Sequence, residues 1–218
     1  MKDREIIQEN IKESKEQIRK AILKDNLIMF FTRIIEDIKL KKPDFYGRIV
    51  ELFPLIHPYD DFPEKENLLK KLIPVKSNGI ELTQEEKDFI EFLLTNLNPD
   101  FTLKQNIYPK LNGMFNHLVK KYLPNTSETL EPYLIGKLIS SVGGIETLYK
   151  MPSSTIQLIG AEKALFRHIS RKALSPKYGL IYQSKNIQTS DNKGKAARQL
   201  ANKISLNIRV DYFKNFAR

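Results

Sequence analysis

The segment with the clearest chemistry runs from Ser153 to Arg167 and reads SSTIQLIGAEKALFR, with Gly160 between two short amphipathic stretches. The glycine predicts that one short helix ends there and that another begins, with Glu162 and Lys163 in its first turn. The start of a helix offers backbone N–H groups without intrahelical partners, and its dipole favours negative charge. The spacing therefore predicts an anion site, at which Lys163 adds a charge-assisted contact to a phosphate.

Basic residues are concentrated in the second half of the chain. The 218 residues carry a formal net charge of +10, of which residues 1–123 contribute +1 and residues 124–218 contribute +9. This asymmetry indicates that only the second half is built to meet a polyanion, and nucleic acid is the natural candidate. A basic surface kept only for solubility is the alternative, and charge alone does not separate the two.

Composition excludes several classes of protein. The chain has no cysteine, so disulfides, thiolate metal sites and cysteine nucleophiles are excluded. No apolar run approaches the roughly 20 residues of a membrane-spanning helix, and the first residues, MKDRE, are charged where a signal peptide turns apolar. We therefore expect a soluble, intracellular protein.

The histidines give little support for catalysis. His57, His117 and His168 are far apart in sequence, and none belongs to an HExxH or HxE pattern. The KGK at residues 193–195 lacks the flanking Gly and Ser or Thr of a P-loop, and Gly143-Gly144 lacks the third glycine of a dinucleotide loop. We expect no enzymatic activity, no catalytic residue, no metal and no cofactor.

Residues 1–123 predict a coiled-coil arm. A narrow apolar stripe recurs at spacings of four and three along one long predicted helix, and the pattern returns between Ile107 and Tyr122. The first stripe consists of Ile7, Ile11, Ser14, Ile18, Ala21, Asp25 and Ile28. Thr83 with Glu86 predicts a capped helix start, and Asn98-Pro99-Asp100 predicts a kink. Four prolines between Phe45 and Asn78 predict a tip of short helices and turns.

Residues 124–218 predict a compact helical domain. The boundary is placed after Leu123, because the segment LPNTS is rich in turn residues and ends in a helix cap. Helices are predicted over residues 128–141, with a stop at Gly143-Gly144, and over residues 193–213. The last helix is expected to bury a broad apolar face of Ala197, Leu200, Ala201, Ile204, Leu206, Ile208 and Val210. Leu180-Ile181-Tyr182 is the best strand candidate, but the predicted fold class is all-α.

Several motifs between residues 128 and 213 resemble, in the same order, those of the Nop domain. They are IGKLIS at 135–140, Gly143-Gly144, SSTIQLIGAEKALFR at 153–167, PKYGLIY at 176–182, KGKAAR at 193–198 and ANKISLNIRVD at 201–211. This domain occurs in the archaeal box C/D ribonucleoprotein scaffold, in its nucleolar relatives and in a spliceosomal pre-mRNA-processing factor. The predicted arm and its tip also resemble the dimerisation arm of that family.

The resemblance implies a non-enzymatic RNA-binding scaffold. Such a scaffold recognises a kink-turn RNA together with its small kink-turn-binding protein of the ribosomal-protein type, in a box C/D-type ribonucleoprotein that guides ribose methylation of RNA. A homodimer through the coiled coil is also implied. Because Met1 opens directly onto the coiled-coil helix, where scaffold members carry a domain that docks fibrillarin, the resemblance does not extend to recruitment of that methyltransferase. The expected location is the cytoplasm of an archaeal cell, or the nucleus or nucleolus of a eukaryotic one.

The resemblance also nominates site residues, and their chemistry agrees, since cations suit phosphates and flat side chains suit splayed bases. The RNA-binding residues are expected to be Gly160, Ala161, Lys163, Arg167, Lys177, Tyr178, Gln183, Lys193, Lys195 and Arg198. Gln157 and Glu162 are expected to face the protein partner, because phosphate repels a carboxylate. For Tyr178 and Tyr182, base stacking and core packing both stay open. Leu158, Leu165 and Phe166 are expected to lie in the core.

Two other interpretations stay open. The chain is either a coiled-coil dimerisation or interaction module whose basic half is only a soluble cap, or a short relative that binds spliceosomal-type ribonucleoprotein cores without a methyltransferase. Charge reversal in the basic half separates the first of these from RNA recognition.

Overall fold

The computed structural model describes residues 2–21, 24–40, 45–63, 71–72, 75–96 and 107–217. Within these ranges the regular secondary structure is helical, without a strand, which confirms the predicted all-α class. Contacts divide the chain into two units: Met1–Asn26 with Arg33–Lys110, and Leu27–Thr32 with Leu111–Arg218. The domain boundary predicted after Leu123 stays a prediction.

The first unit begins with two helices where the sequence analysis expects one. α1 spans Lys2–Ala21 and α2 spans Asp25–Leu40, of which Leu27–Thr32 belongs to the second unit. Because Lys24 lies in a turn, the expectation of a single helix continuing to Ile28 is wrong. Asp25 lies in the first turn of α2, where a carboxylate is favoured by the positive end of the helix dipole. In α1 the stripe residues Ile7 and Ile11 are 56% and 49% exposed, and their pairing in a coiled coil stays a prediction.

Two further helices of this unit have described bounds at both ends. They are α3 (Phe45–Ile56) and α4 (Gln84–Asn96). The start of α4 confirms the predicted cap, because the backbone N–H of Thr83 donates to a carboxylate oxygen of Glu86 at 2.9 Å. The predicted kink at Asn98-Pro99-Asp100 lies outside the described residues.

A buried histidine follows α3. His57 is only 8% exposed, and its ring packs against Phe53 with 5.4 Å between the ring centroids. Burial lowers the pKa of His57 below its ordinary value of 6.5; Asp60, with Oδ2 3.5 Å from Nδ1, acts against this shift, and Lys71 adds to it. The imidazole is therefore held mainly in its neutral form near neutral pH.

The second unit is a succession of mostly short helices. They are α5 (Ile107–Tyr122, of which Leu111 onwards belongs here), α6 (Pro124–Thr129), α7 (Pro132–Val142), α8 (Ile145–Lys150), α9 (Ser153–Leu158), α10 (Glu162–Arg171), a 3₁₀ turn (Leu180–Gln183), α11 (Lys185–Gln188) and α12 (Lys193–Asn215). The strand candidate Leu180-Ile181-Tyr182 is thus wrong, since it lies in the 3₁₀ turn.

Proline and glycine place the boundaries of α7. The expectation of one helix over residues 128–141 is wrong, because Leu130 is extended and Pro132 starts a new helix at a position that suits its fixed φ. The predicted stop is confirmed, because Gly143 ends α7 with a left-handed φ of 82°.

α12 is the centre of the second unit, and α6, α8 and α9 pack against it. Its buried residues are Ala197, Leu200, Ala201, Ile204, Ser205, Ile208 and Asp211. The expected apolar face is wrong at Leu206 and Val210, which are 62% and 52% exposed. With 3.6 residues per turn, these two positions lie on the side of the helix opposite Ile204 and Ile208.

A buried carboxylate joins α12 to α6. Asp211 is 0% exposed, and its Oδ1 accepts hydrogen bonds from the backbone N–H and the side-chain amide of Asn125, at 3.2 and 2.8 Å. Its Oδ2 accepts from the backbone N–H and the hydroxyl of Thr126, at 2.8 and 2.6 Å. These N–H groups belong to the first turn of α6, so one carboxylate satisfies donors that the helix itself leaves unpaired.

Candidate nucleic-acid interface

Two short helices meet at Gly160, as the sequence predicts. α9 ends at Leu158 and α10 begins at Glu162, and between them Gly160 has a left-handed φ of 84° that glycine adopts without steric penalty. A Cβ at this position would lie 2.5 Å from Cγ of Leu180. Glycine therefore lets the start of α10 lie directly against the 3₁₀ turn.

Glu162 uses one of the amides at this helix start. Its Oε1 accepts a hydrogen bond from the backbone N–H of Gly160 at 2.6 Å, a contact that the sequence analysis does not identify. The carboxylate repels phosphate from that amide, so the Gly160 N–H contributes less to an anion site than the sequence suggests. Lys163, the next residue, is exposed and offers its ammonium group to solvent.

α10 has two different sides, and none of its residues is buried. At about 100° per residue, Lys163, Arg167 and Arg171 follow one stripe, whereas Phe166 and Ile169 follow another. The apolar pair is 70% and 73% exposed, so the expectation that Phe166 lies in the core is wrong. The pattern of residue types predicts an amphipathic helix but does not show what covers it.

Leu158 and Leu165, also expected in the core, are only partly buried. A shallow depression in the surface is lined by Glu162, Lys163, Phe166 and Arg167, so charged and apolar groups of α10 border the same space.

The segment before the 3₁₀ turn is held against the end of α9. The backbone N–H groups of Gly179 and Leu180 donate to the carbonyls of Gln157 and Ile159, at 2.8 and 2.7 Å. The side-chain amide of Gln157 donates to the carbonyl of Lys177 at 2.6 Å, so part of this predicted partner-facing residue is used inside the chain. A Cβ on Gly179 would lie 1.9 Å from the Ile159 carbonyl oxygen, which only glycine permits.

The two tyrosines of this segment stack on each other. The rings of Tyr178 and Tyr182 are nearly parallel, with 4.5 Å between centroids and 11° between planes. Lys193, the first residue of α12, donates to the Tyr182 hydroxyl at 3.5 Å, and its Nζ lies 5.7 Å from the ring centroid. One face of each tyrosine ring is therefore covered by the other ring. The contact between Lys193 and Tyr182 holds the 3₁₀ turn against the start of α12.

The start of α12 carries cations where a helix by itself favours anions. Asn192 caps the helix, since its Oδ1 accepts from the backbone N–H of Lys195 at 3.0 Å. Lys195 and Arg198 are exposed, one turn apart, and follow Lys193. A cation near the positive end of a helix dipole is unfavourable by about 0.3–1 kcal/mol, whereas a bound polyanion would be attracted both to the cations and to the dipole.

These contacts connect three segments that carry predicted residues, and we call the exposed side chains of these segments the candidate surface. Gly160 meets Leu180, which joins the start of α10 to residues 177–183, and Tyr182 meets Lys193, which joins those residues to α12. Gln183 is exposed at the end of the 3₁₀ turn, whereas Ala161 is partly buried at the start of α10.

The sequence analysis missed three contributors to this surface. They are Arg171, the exposed side chain of Ile169 and the capping residue Asn192. The spacing of four residues between Lys163, Arg167 and Arg171 is a signal that could have identified the first of them. His168 is engaged within the chain, because its Nδ1 is hydrogen-bonded to the carbonyl of Ala173.

Neither a grouped set of metal ligands nor a membrane-spanning helix occurs in the described residues. No three histidine, aspartate or glutamate side chains are grouped there as a metal site. None of the helices in these ranges is both long and apolar enough to span a membrane.

Comparison with known proteins matches the chain as a whole to a family. The family model described as "Nop: snoRNA binding domain, fibrillarin" matches residues 8–217. "Nucleolar protein 58" of Neurospora crassa is 33% identical over 198 residues, which cover 89% of this chain and 30% of that protein. "Nucleolar protein 58" of Schizosaccharomyces pombe is 37% identical over 155 residues, which cover 70% of this chain and 30% of that protein.

An archaeal relative and a solved structure extend the comparison. A NOP5 family protein of Methanocaldococcus jannaschii is 36% identical over 158 residues, covering 68% of this chain and 38% of that protein. The chain thus spans less than half the length of these curated relatives. The crystal structure of a fibrillarin/Nop5p complex is similar to 98% of this chain and 72% of the matched chain, with a TM-score of 0.48 and 20% identity.

Proposed function

Because this chain belongs to the Nop family, we propose that it is a non-enzymatic, RNA-binding scaffold of a box C/D-type ribonucleoprotein. In this role it recognises a kink-turn RNA together with the small protein bound to that RNA. The observation that carries the proposal is α10, a helix with no buried residue that presents a cationic stripe on one side and an apolar stripe on another.

The cationic side fits the phosphate backbone of a folded RNA. Lys163 and Arg167 on α10 and Lys195 and Arg198 on α12 are exposed, and Lys177 is exposed between the two helices. Binding to phosphates is mainly electrostatic and does not require a groove that reads bases. The start of α12 also suits an anionic ligand, because that ligand is attracted both to the cations and to the positive end of the helix dipole.

The apolar side fits a protein. Phe166 and Ile169 gain nothing from phosphate, but burial of each against another protein contributes about 1.5–3 kcal/mol. Glu162 lies one turn before Phe166 on the same side of α10 and suits a basic or hydrogen-bond-donating group of the same protein. The arrangement therefore favours joint recognition of RNA and protein over recognition of either alone.

The proposal includes a wider setting, which the names of the relatives support in part. We place the chain in a particle that guides ribose methylation, in the cytoplasm of an archaeal cell or the nucleolus of a eukaryotic one. Homodimerisation through the coiled coil belongs to the same proposal. Whether fibrillarin is recruited is outside it.

A gel-shift titration with kink-turn RNA, with and without its small binding protein, tests the proposal. The intact chain is expected to bind the RNA–protein complex tightly and the naked RNA weakly. A triple charge reversal at Lys163, Lys195 and Arg198 should abolish both kinds of binding. Phe166→Ser should weaken binding to the complex by about tenfold while leaving naked-RNA binding unchanged.

The matched control is Lys120→Glu, which reverses an exposed lysine on α5. It should bind like the unmodified chain. If the triple reversal also binds the RNA–protein complex normally, the surface does not contact RNA and the proposal is wrong.

The exposure of Ile7 and Ile11 favours a second candidate, a helix-pairing module whose basic half has no RNA role. Under this alternative, sedimentation shows self-association that Ile7→Ser with Ile11→Ser removes, and the triple charge reversal has no effect on RNA.

A further inference from the structure

α12 has a second exposed surface toward its other end. Leu206, Val210 and Phe213 are 62%, 52% and 64% exposed, and they recur at spacings of four and three residues. We call these three residues the α12 stripe. On a helix with 3.6 residues per turn they form one apolar row, and the row lies on the side opposite the buried core of the unit.

Cations border the α12 stripe on both sides. Arg209 lies along one edge, and Lys203 and Lys214 lie along the other; all three are exposed. Arg209 is oriented by a hydrogen bond from its Nε to the carbonyl of Tyr149, at 3.2 Å. The same surface is thus apolar along its middle and positive along its margins.

Nearby acidic groups are already engaged. Asp211, on the same helix, is buried and bound to the first turn of α6. Glu146, on α8, lies 2.7 Å from Nζ of Lys150 in an ion pair. The positive margin is therefore not neutralised by these carboxylates.

The spacing indicates what kind of surface would cover the stripe. Apolar residues at alternating spacings of three and four, with charges at the flanking positions, form the seam along which two helices pair. The flanking charges select the partner: a second copy of this helix would bring its own Arg209 and Lys214 against like charges, whereas glutamates would form ion pairs. RNA is disfavoured too, because phosphates gain nothing from the three apolar side chains.

We propose that the α12 stripe docks an acidic amphipathic helix of another protein. The row from Leu206 to Phe213 spans about 10 Å, so a partner helix of two to three turns covers it. The surface begins eight residues beyond Arg198, or about 12 Å along the helix, so it is separate from the proposed RNA surface. The proposal does not depend on RNA binding.

A designed peptide provides the test. The probe is a labelled helix of about 21 residues with leucine at the seam positions and glutamate at the flanking positions, titrated with the intact chain by fluorescence anisotropy. One control peptide has lysine in place of glutamate, and another has serine in place of leucine. The acidic leucine peptide is expected to bind, and neither control peptide should do so.

Variants of the chain locate the binding. The double substitution Leu206→Ser with Val210→Ser should weaken binding of the acidic peptide by at least about tenfold, and since both side chains are exposed it should leave the fold intact. Leu174→Ser is the control, because it removes an apolar side chain that is 96% exposed from the loop after α10, outside both proposed surfaces, and it should have no effect. Lys203→Glu with Lys214→Glu should shift the preference to the lysine peptide.

Three results would overturn the proposal. The first is equal binding, or no binding, of the acidic and lysine peptides to the unmodified chain. The second is loss of self-association in sedimentation when the stripe is changed to serine, which would assign the surface to a second copy. The third is weaker kink-turn RNA binding by the same serine variant, which would assign it to RNA.

Discussion

Two glycines of the second unit share a backbone conformation but differ in their surroundings. Gly143 and Gly160 have φ values of 82° and 84°. An added Cβ at Gly143 would meet nothing within 4 Å, whereas at Gly160 it would lie 2.5 Å from Leu180. Alanine substitutions at these two positions therefore share the free-energy penalty of a left-handed φ and differ in the penalty of a steric clash.

We therefore predict that Gly160→Ala destabilises the protein more than Gly143→Ala. The backbone term is about 1–2 kcal/mol in both, and overpacking against Leu180 adds about 1–3 kcal/mol at Gly160 only. Urea unfolding of the two variants measures the difference. Equal losses would show that Leu180 moves away freely and that Gly160 does not fix the start of α10.

Protonation of His57 should destabilise the first unit. Burial lowers the pKa in the folded state below 6.5, so between the two values the unfolded chain binds more protons. The stabilising effect of the neutral ring is complete above about pH 6.5 and is lost as the pH falls through the folded-state pKa.

Thermal unfolding at about pH 8 and about pH 5 checks this prediction. The drop in midpoint on acidification should be smaller in His57→Gln than in the unmodified chain. A drop of the same size in both would mean that His57 does not contribute to the acid sensitivity.

Single contacts that join distant residues were the least predictable feature. Gly160 and Lys163 are recognisable in the sequence because a glycine break and a following lysine are local signals. The contact of Gly160 with Leu180, and of Asp211 with Asn125 and Thr126, joins positions that only the folded chain brings together.

At the scale of elements, α9 and α10 differ in what they contribute to stability. Ile156 of α9 is 0% exposed, and α9 packs against α12, whereas α10 has no buried residue. We predict that Ile156→Ala lowers the free energy of unfolding by about 2–4 kcal/mol, and that Phe166→Ser changes it by less than about 0.5 kcal/mol.

Urea unfolding of both variants gives this comparison. A large loss from Phe166→Ser would show that α10 is packed against the unit in solution, and its apolar side would then be unavailable for a partner.

Helix boundaries were predictable where a cap, a proline or a glycine marks them. Thr83 and Gly143 are examples, and the structure confirms both. The expectation failed at Pro132, which starts a helix that was predicted to begin at Glu128, and at Lys24, where a turn interrupts a stripe that was predicted to lie on one helix. Periodicity indicates which side of a helix is apolar, but it does not indicate where one helix ends and the next begins.

At the scale of the whole molecule, the uneven charge predicts a strong salt dependence. The second half carries nearly all of the net charge of +10. Because each neutralised phosphate releases counterions, affinity for naked RNA should fall steeply between about 50 and 200 mM salt. Replacing Lys163, Lys195 and Arg198 with glutamine should reduce the slope of log K against log salt by about two to three.

Titration of the same RNA at several salt concentrations measures both slopes. Lys120→Gln is the matched control and should leave the slope unchanged. An unchanged slope in the triple variant would place the phosphate contacts elsewhere on the chain.

The loop between α10 and Lys177 should tolerate inserted residues. Lys172 ends α10 with a left-handed φ of 52°, and residues 172–175 are exposed. Beyond them, Lys177 and Gly179 are hydrogen-bonded to Gln157 of α9. Since closure entropy rises by only about 0.6 kcal/mol per doubling of loop length, insertions at Leu174 should be tolerated at little thermodynamic expense. Extra residues there would lengthen the connection while the register of the glycine-packed segment beyond it stays the same.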